Sequence, residues 1–97
     1  MVWEGKQMYS KQVKITNPTG LHARPASEFV QAAGKFKSDI TIQRVDEEGA
    51  AKANAKSILI LLSLGLVSGA EVEIAAEGED EKEAVDTLCE LIENLKD

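Results

Sequence analysis

A chain of 97 residues has room for one domain with one modest core. Its 43% apolar content excludes a chain disordered throughout, and 11 Lys and Arg against 17 Asp and Glu leave a net charge of −6, which a phosphate backbone would repel. A single cysteine, Cys89, excludes an intramolecular disulfide and fits a reducing compartment, while the longest apolar run, residues 58–62, is far too short for a membrane span. No apolar stretch near the start suits a signal peptide. The expectation is a cytoplasmic protein that neither inserts into membranes nor binds nucleic acid directly.

Residues 1–7 show no periodicity and are expected to be a poorly ordered extension or a misassigned start. The domain then covers residues 8–97. Residues 11–16 alternate, with Val13 and Ile15 on one face and Lys14 on the other, which predicts a half-buried strand. Asn17, Pro18, Thr19 and Gly20 are turn material. A helix is predicted from about Ala23, with Ala26, Phe29, Val30 and Ala33 as its apolar stripe. Pro25 suits its first turn and Gly34 its end. Ile40 and Ile42 alternate with Asp39, Thr41 and Gln43 in a second strand. Residues 46–49 form a turn, and a short strand over 51–54 completes a hairpin.

Residues 57–65 are ambiguous, because an unbroken apolar run serves a buried strand or a short helix equally well. Ser57 as N-cap and Gly65 as stop favour helix. In a helix Ile58, Leu61 and Leu64 face the core and leave Leu59, Ile60 and Leu62 partly exposed. Val72 and Ile74, between Glu71 and Glu73, form a further strand. A last helix over 81–94 carries the stripe Val85, Leu88, Ile92 and Leu95, with acids in its first turn where the helix dipole favours them. Cys89 reads as a small buried hydrophobe, and Trp3 and Tyr9 carry no assigned role. The order strand, helix, strand, strand, helix, strand, helix is α+β, with helices covering one face of a mainly antiparallel sheet.

His22 is the only histidine. A lone histidine is usually structural or merely exposed, but this one stands at the entry to a helix. Helix N-termini present unpaired N–H groups and partial positive charge, a ready anion site. Arg24 adds a fixed cation able to pair with phosphate oxygens, and Thr19 a hydroxyl. A neutral imidazole keeps the lone pair that a phosphoryl acceptor requires. No Ser–His–Asp set, metal-ligand cluster or Walker-type loop accompanies it. The segment suits a group that is received and released, without a second catalytic residue for a stand-alone enzyme.

The stretch Thr19-Gly-Leu-His-Ala-Arg-Pro-Ala26 resembles the phosphorylation-site motif of the HPr family, the histidine-containing phosphocarriers of the bacterial sugar phosphotransferase system. Lys56-Ser57-Ile58 followed by Ser63-Leu64-Gly65 resembles that family's second signature. The resemblance spans Met8 to the C-terminus. It implies an open-faced β-sandwich of βαββαβα order, a four-stranded antiparallel sheet with three helices on one face, which makes the ambiguous run a helix. It implies that His22 takes a phosphoryl group on Nδ1 from Enzyme I and passes it to IIA domains of sugar permeases. Arg24 then stabilises the phosphate, with Thr19 and the backbone of Ala23 and Arg24 in contact, and no cofactor or metal is called for.

The same resemblance maps Ser57 onto the serine that HPr kinase/phosphorylase modifies. It makes Ser27, Gln31, Lys56, Leu59, Ile60 and Leu62 a docking surface for partners. The plain readings are an N-cap for Ser57, core packing for the leucines and isoleucine, and solvent-facing polar residues for Ser27 and Gln31. The alternative function is a mainly regulatory relative acting through phosphorylated Ser57 as corepressor of a catabolite-control transcription factor. Either way the protein is expected to be a monomer.

Overall fold

The structure, a computed structural model, describes residues 8–46, 49–50 and 52–95. The expectations for residues 1–7, and for the middle of the 46–49 turn, lie outside the described residues. Seven elements follow in the anticipated order: β1 Tyr9–Lys14, α1 Ala23–Ala33, β2 Asp39–Arg44, β3 Ala53–Asn54, α2 Ile58–Ser63, β4 Glu71–Glu77 and α3 Glu81–Glu93. The strands form one antiparallel sheet in the order β1-β4-β2-β3.

The register explains the alternation in the sequence. Val13 lies opposite Val72, and Ile42 opposite Ile74, so their side chains share the inner face. Gln12, Glu73 and Gln43 line up on the other face, which is left to water. Phe29 of α1, Leu61 of α2, and Val85, Leu88 and Ile92 of α3 close over the inner face in one core. Fully burying a side chain of this size is worth about 1.5–3 kcal/mol each. The run at 57–65 is a helix because only its Leu61 is fully buried, a one-sided pattern that an inner strand would not tolerate.

Several boundaries differ from the sequence reading. β1 starts and stops two residues earlier, because Ile15 leaves the strand to exchange backbone bonds with Ala70 and Gly69 (2.8 and 2.7 Å). β3 is confined to Ala53–Asn54, and Leu95 packs on the core from beyond the end of α3. Val30 is half-buried, so the α1 stripe is deepest at Ala26, Phe29 and Ala33. Gly34 ends α1 in ordinary right-handed backbone, so its lack of a side chain is not what stops the helix.

Two polar ties fasten the layers. Tyr9 donates to Asp86 at 3.0 Å and Lys11 pairs with the same carboxylate at 3.0 Å, linking β1 to α3 and giving Tyr9 a role its sequence context did not reveal. Asp80, at the N-terminus of α3, accepts from the Ser38 hydroxyl and from the amides of Lys37 (2.9 Å) and Ser38 (3.0 Å). The Ser38 hydroxyl, then the Lys37 amide, hold the Asp80 carboxyl below the usual carboxylate range. Cys89 is buried in α3, and desolvation pushes its thiol up to about 11, as suits an inert packing residue. Among the described residues no helix is long and apolar enough to cross a membrane.

Candidate functional site

The turn between β1 and α1 is built before His22 is reached. Asn17 is buried and donates its side-chain amide to the Gly20 carbonyl at 2.8 Å, while the Gly20 amide returns to the Asn17 carbonyl at 3.1 Å. Gly20 has φ +69°, and a Cβ there would stand 2.5 Å from the Leu66 carbonyl oxygen and 2.8 Å from Val67 Cα. Only glycine fits both the backbone angle and the gap. Leu21 then enters the core and donates its amide to Leu66 at 2.8 Å. With Leu21 turned inward, His22 is turned outward.

His22 is the N-cap of α1: its backbone is extended and its carbonyl accepts the first helical bond from Ala26 at 2.9 Å. Its ring makes no capping bond, so it is available for chemistry. Nδ1 lies 3.0 Å from Thr19 Oγ1 and 3.4 Å from the Gly20 carbonyl. The second distance is beyond the normal range, so the hydroxyl contact is the stronger one. In the tautomer with the ring proton on Nε2, the Thr19 hydroxyl donates to Nδ1 and the Nδ1 lone pair is basic; in the other tautomer Nδ1–H donates to Thr19 Oγ1 or to the Gly20 carbonyl.

The space in front of that nitrogen suits an anion. Ala23 and Arg24 occupy the first turn of α1, where backbone N–H groups have no helical acceptor, and no acid stands in that turn. Pro25, which has no N–H to satisfy, closes the turn and is buried. A cleft of about 370 Å³ opens here, lined by Thr19, His22, Arg24 and Pro25 from one side and by Glu28, Asn94 and Leu95 from the others. Arg24 is exposed and, among the described residues, makes no hydrogen bond or ion pair, so its guanidinium is free to close on an oxyanion. Among the described residues no group of three or more His, Cys, Asp or Glu could hold a metal ion.

The remaining candidate residues lie outside the lining of this cleft. Ser57 caps α2, its hydroxyl accepting from the Ile60 amide at 3.4 Å. Asn54 shapes the approach by accepting from the Lys56 amide at 2.9 Å, and the Lys56 ammonium donates to the Phe36 carbonyl at 2.9 Å. Leu59, Ile60 and Leu62 are 78%, 44% and 41% exposed, so they are surface and not core. Ser27 and Gln31 contact each other one turn apart on α1, Gln31 Nε2 to Ser27 Oγ at 3.5 Å. The Leu21–Leu66 bond joins the His22 turn to the segment leaving α2.

Sequence reasoning missed Asn17 as the internal brace of the turn, although an Asn before Pro in a turn is a recognisable signal of such bonding. No sequence signal sets Glu28 apart from other polar helix residues, and it reaches the cleft through its place on α1. Asn94 and Leu95 reach the site by tertiary packing of α3, which no local pattern announces.

The chain matches the family model described as the PTS HPr component phosphorylation site over residues 9–94. It is 48% identical over 88 residues to the phosphocarrier protein HPr of Vibrio cholerae, covering 91% of this chain and 99% of that protein. It is 46% identical over 86 residues to the HPr-like protein Crh of Halalkalibacterium halodurans, covering 89% and 98%. The solved structure of HPr-C-His from Thermoanaerobacter tengcongensis superposes with a TM-score of 0.79 at 48% identity, covering 88% of this chain and 91% of that one.

Proposed function

Because the chain belongs to the HPr family of phosphocarriers, we propose that it accepts a phosphoryl group from Enzyme I on Nδ1 of His22 and donates it to IIA domains of sugar permeases. The observation that carries this reading is the Thr19 hydroxyl 3.0 Å from Nδ1 at the open N-terminus of α1. The Nδ1 lone pair forms the new N–P bond as the donor's bond to phosphorus breaks, and that electron pair returns to the donor. The Thr19 hydroxyl, released from the lone pair it was marking, can turn to a phosphoryl oxygen. The amides of Ala23 and Arg24 and the Arg24 guanidinium take the charge that arrives. In the tautomer with the ring proton on Nε2 the attacking nitrogen carries no proton, and no general base is needed.

Ser57 is assigned here as the site of regulatory phosphorylation by HPr kinase/phosphorylase. Its hydroxyl is half-exposed at the start of α2, and a phosphate there adds about −1.5 to −2 charges beside the exposed Leu59, Ile60 and Leu62. Such a charge on a docking surface changes which partners can bind without needing to unfold the helix. The similarity to an HPr-like Crh protein keeps a second role open, in which the phosphorylated Ser57 form binds a catabolite-control transcription factor. Incubation with Enzyme I and phosphoenolpyruvate tests the main reading: acid-labile phosphate forms on the wild-type protein and none on His22→Ala. Full labelling of His22→Ala, or an unlabelled wild type, overturns it.

A further inference from the structure

The His22 cleft contains one full cation, Arg24, and one carboxylate, Glu28, among its described lining residues. The two are four residues apart on α1, so both side chains rise from the same face. The cation precedes the acid, which is the weaker order for such a pair on a helix, and the two form no ion pair here. Glu28 is the first acid on α1 and stands one turn beyond the segment where the dipole would favour it. A carboxylate can only accept hydrogen bonds, so it has nothing to offer a phosphoryl oxygen. Asn94, from the opposite wall, marks the C-terminal end of α3, the negative end of its dipole, and the last turn of α3 carries no base.

From these positions we propose that Glu28 sets the lifetime and transfer potential of the phosphorylated carrier, an inference that rests on His22 being the acceptor. In the empty carrier the Glu28 carboxylate shares the cleft with Arg24 at little cost. Once His22 is phosphorylated, Arg24 turns to the phosphoryl oxygens, and Glu28 faces a group bearing nearly two negative charges. The repulsion raises the energy of the loaded state alone. It therefore favours rupture of the P–Nδ1 bond, the electron pair returning to Nδ1 and the phosphoryl group leaving for the next protein. Arg24 draws the group in and Glu28 keeps it from staying.

The test compares wild type, Glu28→Gln and Glu28→Asp, with Glu83→Gln on α3 as a carboxylate outside the cleft. Each is loaded with radiolabelled phosphate from Enzyme I and phosphoenolpyruvate, and both the back-reaction equilibrium with pyruvate and the decay of the isolated phosphohistidine are measured. In Glu28→Gln, loading is favoured by about two- to fivefold at low ionic strength, the size expected for one nearby charge in a water-like dielectric. Its phosphohistidine decays correspondingly more slowly, and both differences shrink at about 1 M salt, where screening is complete within a few ångströms. Glu28→Asp stays close to wild type, and so does Glu83→Gln. Equal equilibria and lifetimes for wild type and Glu28→Gln, or a shift indifferent to salt, overturn the role of Glu28. A wild type that takes no label overturns the acceptor assignment itself.

Discussion

Replacing Gly20 by alanine puts the architecture of the site under its sharpest strain. The residue has φ +69°, and holding a Cβ-bearing residue in that region costs about 1–2 kcal/mol. The new Cβ would also lie 2.5 Å from the Leu66 carbonyl oxygen, a backbone atom that cannot swing aside like a side chain. Relief requires the segment after α2 to retreat, which breaks the Leu21–Leu66 hydrogen bond, worth about 0.5–1.5 kcal/mol. Alanine recovers about 0.4–1 kcal/mol by restricting the unfolded chain. With the residual clash the balance is a loss of about 2–4 kcal/mol, and a domain of this size then melts about 10–25 °C lower. Urea and thermal unfolding measure it, with Gly49→Ala as control. Gly49 shares the left-handed angle (φ +82°), but among the described residues nothing lies within 4 Å of its absent Cβ, so that variant isolates the backbone cost at about 1 kcal/mol. Equal losses in the two variants would refute the claim that Gly20 is fixed by the close approach of Leu66 and Val67.

Thr19→Val keeps the shape of the turn but removes the hydroxyl at Nδ1; phosphoryl uptake from Enzyme I slows by about tenfold in rapid-quench labelling, the low end of what a hydrogen bond to a charged group supplies, and an unchanged rate would argue against a role for that hydroxyl. Ser57→Asp places a fixed negative charge at the start of α2; it lowers the rate of transfer from Enzyme I, and a wild-type rate would argue against a docking surface there. The Asp80 carboxyl is held below the usual carboxylate range in the folded protein, so its contribution is complete above about pH 5 and is lost as pH falls past the unfolded value and through the lowered one. Urea midpoints taken from pH 6 downward therefore fall more steeply for wild type than for Asp80→Asn, and parallel curves would remove Asp80 from the account of acid sensitivity.

Much of this molecule is legible from local pattern. Val13, Ile40, Ile42, Val72 and Ile74 announce strands by alternation, and all five are buried on one sheet face. Phe29, Leu88 and Ile92 announce helices by period. The residues around His22 are contiguous, so their chemistry could be read directly. What stayed hidden depends on segments meeting across the fold. Nothing local ties Gly20 to Leu66, or brings Asn94 and Leu95 to the cleft. Nothing local shows that the carboxylate of Asp80, just before α3, is held by the loop after α1, which supplies two amides and a hydroxyl to it. The family resemblance puts Lys56 on a docking surface, and nothing local shows that its ammonium is bonded to the Phe36 carbonyl.

The pairing of β1 with β4 has a bearing on how the carrier comes into being. Tyr9 finds its partner in Ala76, near the opposite end of the chain, and β4 must be in place before β1 has anything to pair with. Such distant pairings close slowly compared with helices and hairpins. The turn that carries His22 hangs directly from β1 and leans on the segment that leads into β4, so it acquires its shape only when β1 and β4 have met. A half-made chain emerging from the ribosome carries the histidine but not the geometry around it. The geometry around His22 thus arrives together with the completed sheet, once β4 is available to pair with β1.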